Sequence, residues 1–386
     1  MNEPLASVLI ELATPAQRRL FDTDPLSYVN GTDLPETDRL ALLSRNRAVI
    51  KYQARFGDLT KERLRLMDFA SPDMEHDHVE IGPEHDEGHD EVAGLDDTTL
   101  ANSFGPFLRA IDPDNEDAST PKDVPVRPNS LVVVGTGISV SHLTDEAIKH
   151  ISGADFLLYC VADAATELRL RRLNPEYDDL YRFYGNGKLR RETYDEMAHR
   201  ILSVVREGKN VCAAFYGHPG LFVKPAHMSI QKARDEGYST QMVPAPSCID
   251  CMIADLGLDP SREGCHVFEA TNFLVRRRRP DVESGLALLQ IGCVGDFSFN
   301  ATGFDGRHFP LLVEHLRTFY QPNHPVILYE ASQFSICQPR VDLISMRHLS
   351  SAHVNGITTM YIPPARKARI DSTLSQHFRE NAPSYS

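Results

Sequence analysis

Tryptophan is absent from this chain, and no apolar run is long enough to cross a membrane. A broad basic face is missing too. The formal net charge of -14 excludes a surface built to hold a nucleic-acid backbone. The N-terminus, Met1-Asn2-Glu3-Pro4, lacks the basic-then-apolar design of a secretory signal. Seven cysteines, an odd number scattered through apolar segments, form no disulfide framework and point to reduced thiols in a cytoplasmic protein. What remains is a chain of 386 residues, long enough for two or three domains with buried cores.

Between residues 130 and 225 three short apolar runs end in small residues and alternate with helical patterns. They are Val132-Val133-Val134-Gly135-Thr136-Gly137, Leu157-Leu158-Tyr159-Cys160-Val161 and Val211-Cys212-Ala213-Ala214-Phe215-Tyr216-Gly217-His218-Pro219-Gly220. This is how a parallel α/β sheet reads in sequence, and ligands bind such sheets at the carboxyl ends of their strands. The first turn fails as a dinucleotide fingerprint, because no third glycine follows Gly135 and Gly137. Cys248 and Cys251 form a lone CxxC with no second pair, so no metal ligand is assigned to them.

Residues 1–69 read as short helices. Leu5, Val8, Leu9 and Leu12 recur at helical spacing, and Thr14-Pro15, Asp24-Pro25 and Leu34-Pro35 are start signals. So small a bundle must dock, as a dimerisation element or a lid. The stretch 70–129 is a linker, acidic and histidine-rich over 73–97 and proline-rich toward its end. Histidines and carboxylates can also bind divalent metal, though nothing in such a segment fixes a geometry. The rest divides at 130–245 and 246–364, with a polar tail at 365–386. The basic run Arg276 to Arg279 reads as a solvated loop, or as a place to receive the acidic tract of a partner subunit.

A polar aromatic run, Asp179-Leu180-Tyr181-Arg182-Phe183-Tyr184-Gly185-Asn186-Gly187-Lys188, precedes Arg190 and Tyr194. Tyr181 and Tyr184, and likewise Arg190 and Tyr194, share a face if these stretches are helical. Phenols and a guanidinium together could polarise a carbonyl and help remove an amide proton. The alternative is tyrosines at a core edge and an Arg190 paired with a nearby acid.

The series Val-Gly-Thr-Gly, Asp163, Gly-His-Pro-Gly, Pro246-Ser247 and Thr358-Thr359-Met360-Tyr361-Ile362-Pro363-Pro364 resembles the tetrapyrrole-methylase fold of S-adenosylmethionine-dependent methyltransferases. Within that fold, 179–188, 215–223, Leu289-Gln290-Ile291-Gly292-Cys293-Val294-Gly295 and Thr302-Gly303-Phe304-Asp305 resemble the borosin peptide-backbone α-N-methyltransferases. Gly217-His218-Pro219 stands where ordinary tetrapyrrole methylases carry Gly-Asp-Pro, and Gly137-Ile138-Ser139 where they carry Gly-Pro-Gly. The N-terminal helices are similar to the recognition domain of borosin precursors.

The resemblance implies a class III methyltransferase of two αβα subdomains, preceded by an all-α domain and an acidic linker. It implies S-adenosylmethionine as methyl donor, S-adenosylhomocysteine as product, and backbone amides of a ribosomal peptide as acceptors. The peptide is either in the chain's own linker, where Val79-Glu80-Ile81 and residues 104–111 are apolar enough, or separate. Tyr194 and Arg190 are implied for proton removal and oxygen stabilisation, Tyr181 and Tyr184 for orienting the peptide. A tyrosine beside an arginine has its phenolate favoured. Cofactor contacts are implied for Tyr216, His218, Leu221, Ser247, Cys248, Gln290, Tyr329, Thr358 and Thr359. The resemblance further implies a homodimer whose peptide segments cross between subunits, and neither membrane nor nucleic-acid partners. The rival readings are a small-molecule tetrapyrrole-type methylase and a catalytically silent metal-binding or scaffold protein.

Overall fold

A computed structural model describes residues 1–57, 127–300, 303, 304 and 306–381. Most of the linker, including 73–97 and 104–111, lies outside them. So do residues 58–69 of the expected helical unit.

The N-terminal unit is five short helices: α1 (Glu3–Leu12), α2 (Pro15–Thr23), α3 (Pro25–Asn30), α4 (Glu36–Ser44) and α5 (Arg47–Phe56). Their starts follow the local chemistry. Thr14 caps α2 and Asp24 caps α3, each ahead of a proline in the first turn. Asn46 caps α5, and Gly57 ends it in the left-handed region. Leu5, Leu9 and Leu12 of α1 are buried with Phe21, Leu42 and Ile50. The same cluster takes in Ala164, Ala165 and Leu168 of the next domain and Phe334 and Ile336 of the last. The unit therefore docks through an apolar face, as a bundle this small requires.

Two five-stranded sheets follow. The first contains β1 (Ser130–Gly135), β2 (Phe156–Cys160), β3 (Tyr177–Asp179), β4 (Val211–Phe215) and β5 (Ser239–Val243), all parallel, in the order β3-β2-β4-β1-β5. Helices α6 (Asp145–Gly153), α7 (Ala164–Leu173), α8 (Arg190–Arg206) and α9 (Lys224–Asp235) cross over between its strands. Both faces of the sheet are covered, so its central strands are apolar on both sides. Leu131 and Val133 of β1 pack with Met197 and Ile201 of α8, while Val134 turns to Ala147 and Ile151 of α6.

The second sheet is mixed. Its strands are β6 (Cys265–Glu269), β7 (Gly285–Leu289), β8 (Pro325–Glu330), β9 (Arg340–Ser345) and β10 (Thr359–Ile362), in the order β6-β7-β10-β8-β9. Only β6 and β7 are parallel; β10 runs against both β7 and β8. The start of β10 therefore lies beside the ends of β7 and β8, and Thr359 pairs with Tyr329. On one face α10 (Cys248–Leu256) contributes Met252. On the other, α12 (Ala270–Val275) and α13 (Phe309–Arg317) bury Phe273, Phe309 and Leu312. A four-residue helix, α11 (Pro260–Glu263), precedes β6, and α14 (Ser372–Glu380) closes the described chain with Leu374 and Phe378 exposed. Among the described residues no helix is long and apolar enough to cross a membrane.

Candidate active site

The glycine turns after β1 and β4 form one structure. Gly137 donates to the Gly217 carbonyl at 3.2 Å and Gly217 donates back at 2.9 Å. A side chain at Gly135 would meet the Gly217 carbonyl oxygen at 2.5 Å, so only glycine lets the loops close. The second loop is pinned from within: the Gly220 amide donates to His218 Nδ1 at 3.0 Å. Leu221 follows, its amide bonded to the His218 carbonyl at 3.1 Å. Tyr216 opens the second of these loops; its side chain is partly exposed, while burial around its hydroxyl raises the phenol pKa above the ordinary value.

The polar residues of the second sheet are committed more fully. Ser247 caps α10, accepting from the Ile249 and Asp250 amides, while its own amide and hydroxyl donate to Asp250 at 2.6 Å. Cys248 accepts from the Thr359 hydroxyl at 3.9 Å. Burial raises its thiol pKa above the ordinary value. Tyr329 is buried, and its hydroxyl donates to Asp255 at 2.6 Å. Thr358 donates to Glu330 at 2.8 Å. Glu330 also binds Arg47, Arg340 and Asn355. Gln290, at the end of β7, takes a left-handed backbone (φ 60°) that few non-glycine residues adopt. Tyr216, His218 and Leu221 thus follow β4, Ser247 and Cys248 follow β5, and the other four stand at the ends of β7 and β8 and the start of β10.

The phenols gather at the end of the first sheet. Residues Leu180–Phe183 form a single 3-10 turn capped by Asp179, and Tyr184 lies just past it, extended. The shared helical face of Tyr181 and Tyr184 does not exist; a tight turn brings their rings to 5.1 Å instead. Arg190 and Tyr194 do share a face, one turn apart in α8. Phe299 of the second subdomain closes the group, 4.7 Å from the Tyr184 ring and 6.2 Å from Tyr181. It is placed there by a short antiparallel pairing. Phe299 donates to the Lys188 carbonyl at 2.9 Å, and the Arg190 amide to the Phe297 carbonyl at 2.9 Å. The Arg190 guanidinium donates to the Asp296 carbonyl and lies 5.8 Å from the Phe304 ring. It is paired with a backbone carbonyl rather than with an acid.

Burial dominates the electrostatics here. The Tyr194 pKa is raised above the usual phenol value because its ring is desolvated; Arg190 and a hydrogen bond with Tyr184 pull the other way and lose. Tyr184 is raised further, by burial and by neighbouring thiols and phenols. The expected phenolate beside Arg190 is therefore outweighed, for a reason no sequence spacing could show.

Phe299, Asp296 and a second polar cluster were not singled out from sequence. In that cluster Tyr159 donates to buried Glu167 at 3.2 Å, and Arg55 and Arg171 both bind the same carboxylate. The one signal available was the charge spacing on α5 and α7.

The donors along both sheet edges are hydroxyls, amides, phenols and a thiol, with no lysine among the assigned residues. Most of these hydroxyls are bonded within the fold, so the groups that fit S-adenosylmethionine are the bare backbone left by the glycine loops and the Gln290 side chain, which can meet its hydroxyl and carboxylate groups. Residues 130–332 match the family of tetrapyrrole (corrin/porphyrin) methylases. A methyltransferase/ribosomally synthesized cyclic peptide dendrothelin A precursor from Dendrothele bispora is 44% identical over 250 residues, 64% of this chain and 60% of that protein. The omphalotin A precursor of the same description from Omphalotus olearius is 43% identical over 245 residues, 62% and 59% of the two chains. A type III borosin cyclic peptide precursor from Anomoporia bombycina is 41% identical over 244 residues, 62% of this chain and 28% of that one. The chain thus spans well under two thirds of these relatives' length. On its two-sheet architecture, and on a family match that spans the first sheet and three strands of the second, the chain belongs to the tetrapyrrole methylases.

Proposed function

We propose that this protein is an S-adenosylmethionine-dependent methyltransferase that methylates backbone amide nitrogens of a ribosomal peptide; the names of its relatives join a methyltransferase to a ribosomally synthesized peptide precursor. The observation that carries the reading is the cluster at the carboxyl edge of the first sheet: the rings of Tyr181, Tyr184 and Phe299 in mutual contact, Tyr194 hydrogen-bonded to Tyr184, and Arg190 one helical turn from Tyr194. A guanidinium beside a phenol in a desolvated cluster offers an oxygen-stabilising group and a proton acceptor, the two groups an amide needs.

An amide nitrogen is a poor nucleophile because its lone pair is delocalised into the carbonyl. Two tasks fall to the protein. Arg190, held by the Asp296 carbonyl, presents its remaining N–H groups to the amide oxygen and stabilises the negative charge that develops there. Tyr194, one turn along α8, takes the amide proton. Its raised pKa makes the phenolate scarce at neutral pH but a strong base once formed. Tyr184 donates toward Tyr194 and, with Tyr181 and Phe299, excludes water and fixes the peptide plane. S-adenosylmethionine, when bound, supplies the activated methyl group. Tyr216, His218, Leu221, Ser247, Cys248, Gln290, Tyr329, Thr358 and Thr359 are the residues proposed to hold it, Ser247 and Tyr329 by shaping the wall rather than by free hydroxyls.

The domain limits at 69, 129, 245 and 364 belong to this reading, as do a homodimeric, cytoplasmic protein and a peptide acceptor in its own linker or in a separate precursor. Intact mass of the purified protein, with fragment sequencing of residues 60–130, tests it. Added methylene masses on backbone nitrogens establish self-methylation. An unmodified chain that binds S-adenosylmethionine by calorimetry moves the acceptor to a separate peptide. A chain that neither carries methyl groups nor binds the donor sinks the proposal.

A further inference from the structure

Helix α5 carries Arg47, Lys51 and Arg55 at intervals of four, so the three cations share one face. Each faces a carboxylate that is itself buried. Arg47 binds Glu330, Arg55 binds Glu167, and Lys51 lies in the field of Asp163. Glu330 ends β8 of the second sheet, whereas Asp163 and Glu167 follow β2 of the first. The helix therefore crosses from one subdomain to the other along their ligand edge.

Docking does not depend on the last of these cations. The apolar face of α1 already buries Leu5, Leu9 and Leu12 against α7, and Glu167 keeps Arg171 as a partner if Arg55 is removed. What Arg55 alone supplies is contact with the phenols. Its guanidinium stands 6.0 Å from the centre of the Tyr181 ring, which meets the Tyr184 ring at 5.1 Å in a tilted contact. Arg55 thus joins the helical unit to the aromatic cage.

We propose that Arg55 is a positioning residue of the methyl-transfer site: delivered by the helical unit, it holds Tyr181, and through it Tyr184, in the working orientation, so that the cage is complete only with α5 docked. This rests on the function proposed above. It turns the helical unit from an attached module into a structural part of the site.

The test uses the full chain with R55K, which keeps the charge, and R55M, which keeps only the stem. Methyl uptake from S-adenosylmethionine is followed by intact mass, donor affinity by calorimetry, and hydrogen exchange over 177–184 and over α1. R55M is expected to slow uptake at saturating donor at least tenfold, to leave donor affinity within twofold, and to raise exchange over 177–184 but not over α1. R55K is expected to recover most of the lost rate. Equal rates in R55K and R55M, or an R55M chain as fast as the original, would overturn the proposal. So would exchange rising in α1 together with 177–184, which assigns Arg55 to docking alone. If the unsubstituted chain takes up no methyl groups, self-methylation fails as the function, and exchange over 177–184 then decides the role of Arg55.

Discussion

The ligand edges of the two sheets are built on opposite principles. At the first, Tyr181, Tyr184 and Tyr194 are packed at the core edge and raised in pKa by desolvation. At the second, Glu330 is saturated: two arginines, an asparagine and a threonine converge on one carboxylate, and its pKa is held below the ordinary value despite burial, mainly by Arg47. Groups of the first kind are kept neutral by desolvation; groups of the second kind are kept charged by their partners. The first edge is suited to chemistry and the second to fixed recognition.

The sharpest way to break this contrast is Tyr194→Phe, which keeps the packing and removes the proton acceptor. Methyl uptake should fall by roughly 10²–10⁴-fold, the range for loss of a general base, with donor affinity unchanged by calorimetry. A variant with full activity would move the base elsewhere. The converse change at the second edge is Glu330→Ala, which strands two arginines around a buried site. It should cost about 3–5 kcal/mol of stability, read by chemical denaturation. Activity lost without stability lost would show that Glu330 belongs to the chemistry.

Acid and base separate the edges again. The Glu330 pKa lies lower in the folded chain than in the unfolded one, so its contribution is present above the unfolded value of 4.5 and is lost as pH falls through the folded one. Thermal stability should drop in acid, and drop less in Glu330→Gln. Tyr194 is raised above 10.0, so transfer limited by its phenolate should climb roughly tenfold per pH unit and reach no plateau below pH 10. A flat profile between pH 7 and 9 would exclude the phenol as the rate-determining base. The smallest effect belongs to the cap at α10: Ser247→Ala should cost about 0.5–2 kcal/mol, measured by melting.

Much of this edge architecture is written locally and can be read without coordinates. Apolar runs that end in Gly135-Thr136-Gly137 and Tyr216-Gly217-His218 announce strands and turns, because short-range sterics dictate both. Pro15 and Pro25 announce the starts of α2 and α3 for the same reason. Tyr181 and Tyr184 read as a cluster that shares a face only if the stretch is helical, since spacing alone does not separate a 3-10 turn from a helix. Phe299 and Arg55 were not legible at all. Each reaches the cage from more than a hundred residues away in sequence, and nothing in its neighbours records where it arrives. The arginine near Tyr194 can be read from spacing and favours the phenolate, whereas the desolvation that outweighs it is a property of the assembled core.

The contacts of the N-terminal helices also set a timetable. Arg47 binds the Ala331 carbonyl at 3.2 Å, and Ser335 donates to the Leu12 carbonyl at 2.7 Å, across sequence separations of 284 and 323. During synthesis, which runs at about 5–20 residues per second, the helices must wait for nearly the entire methylase to emerge before their second anchoring surface exists. The bundle made first is the part secured last, and the first sheet can assemble while one side of that bundle still lacks its partner.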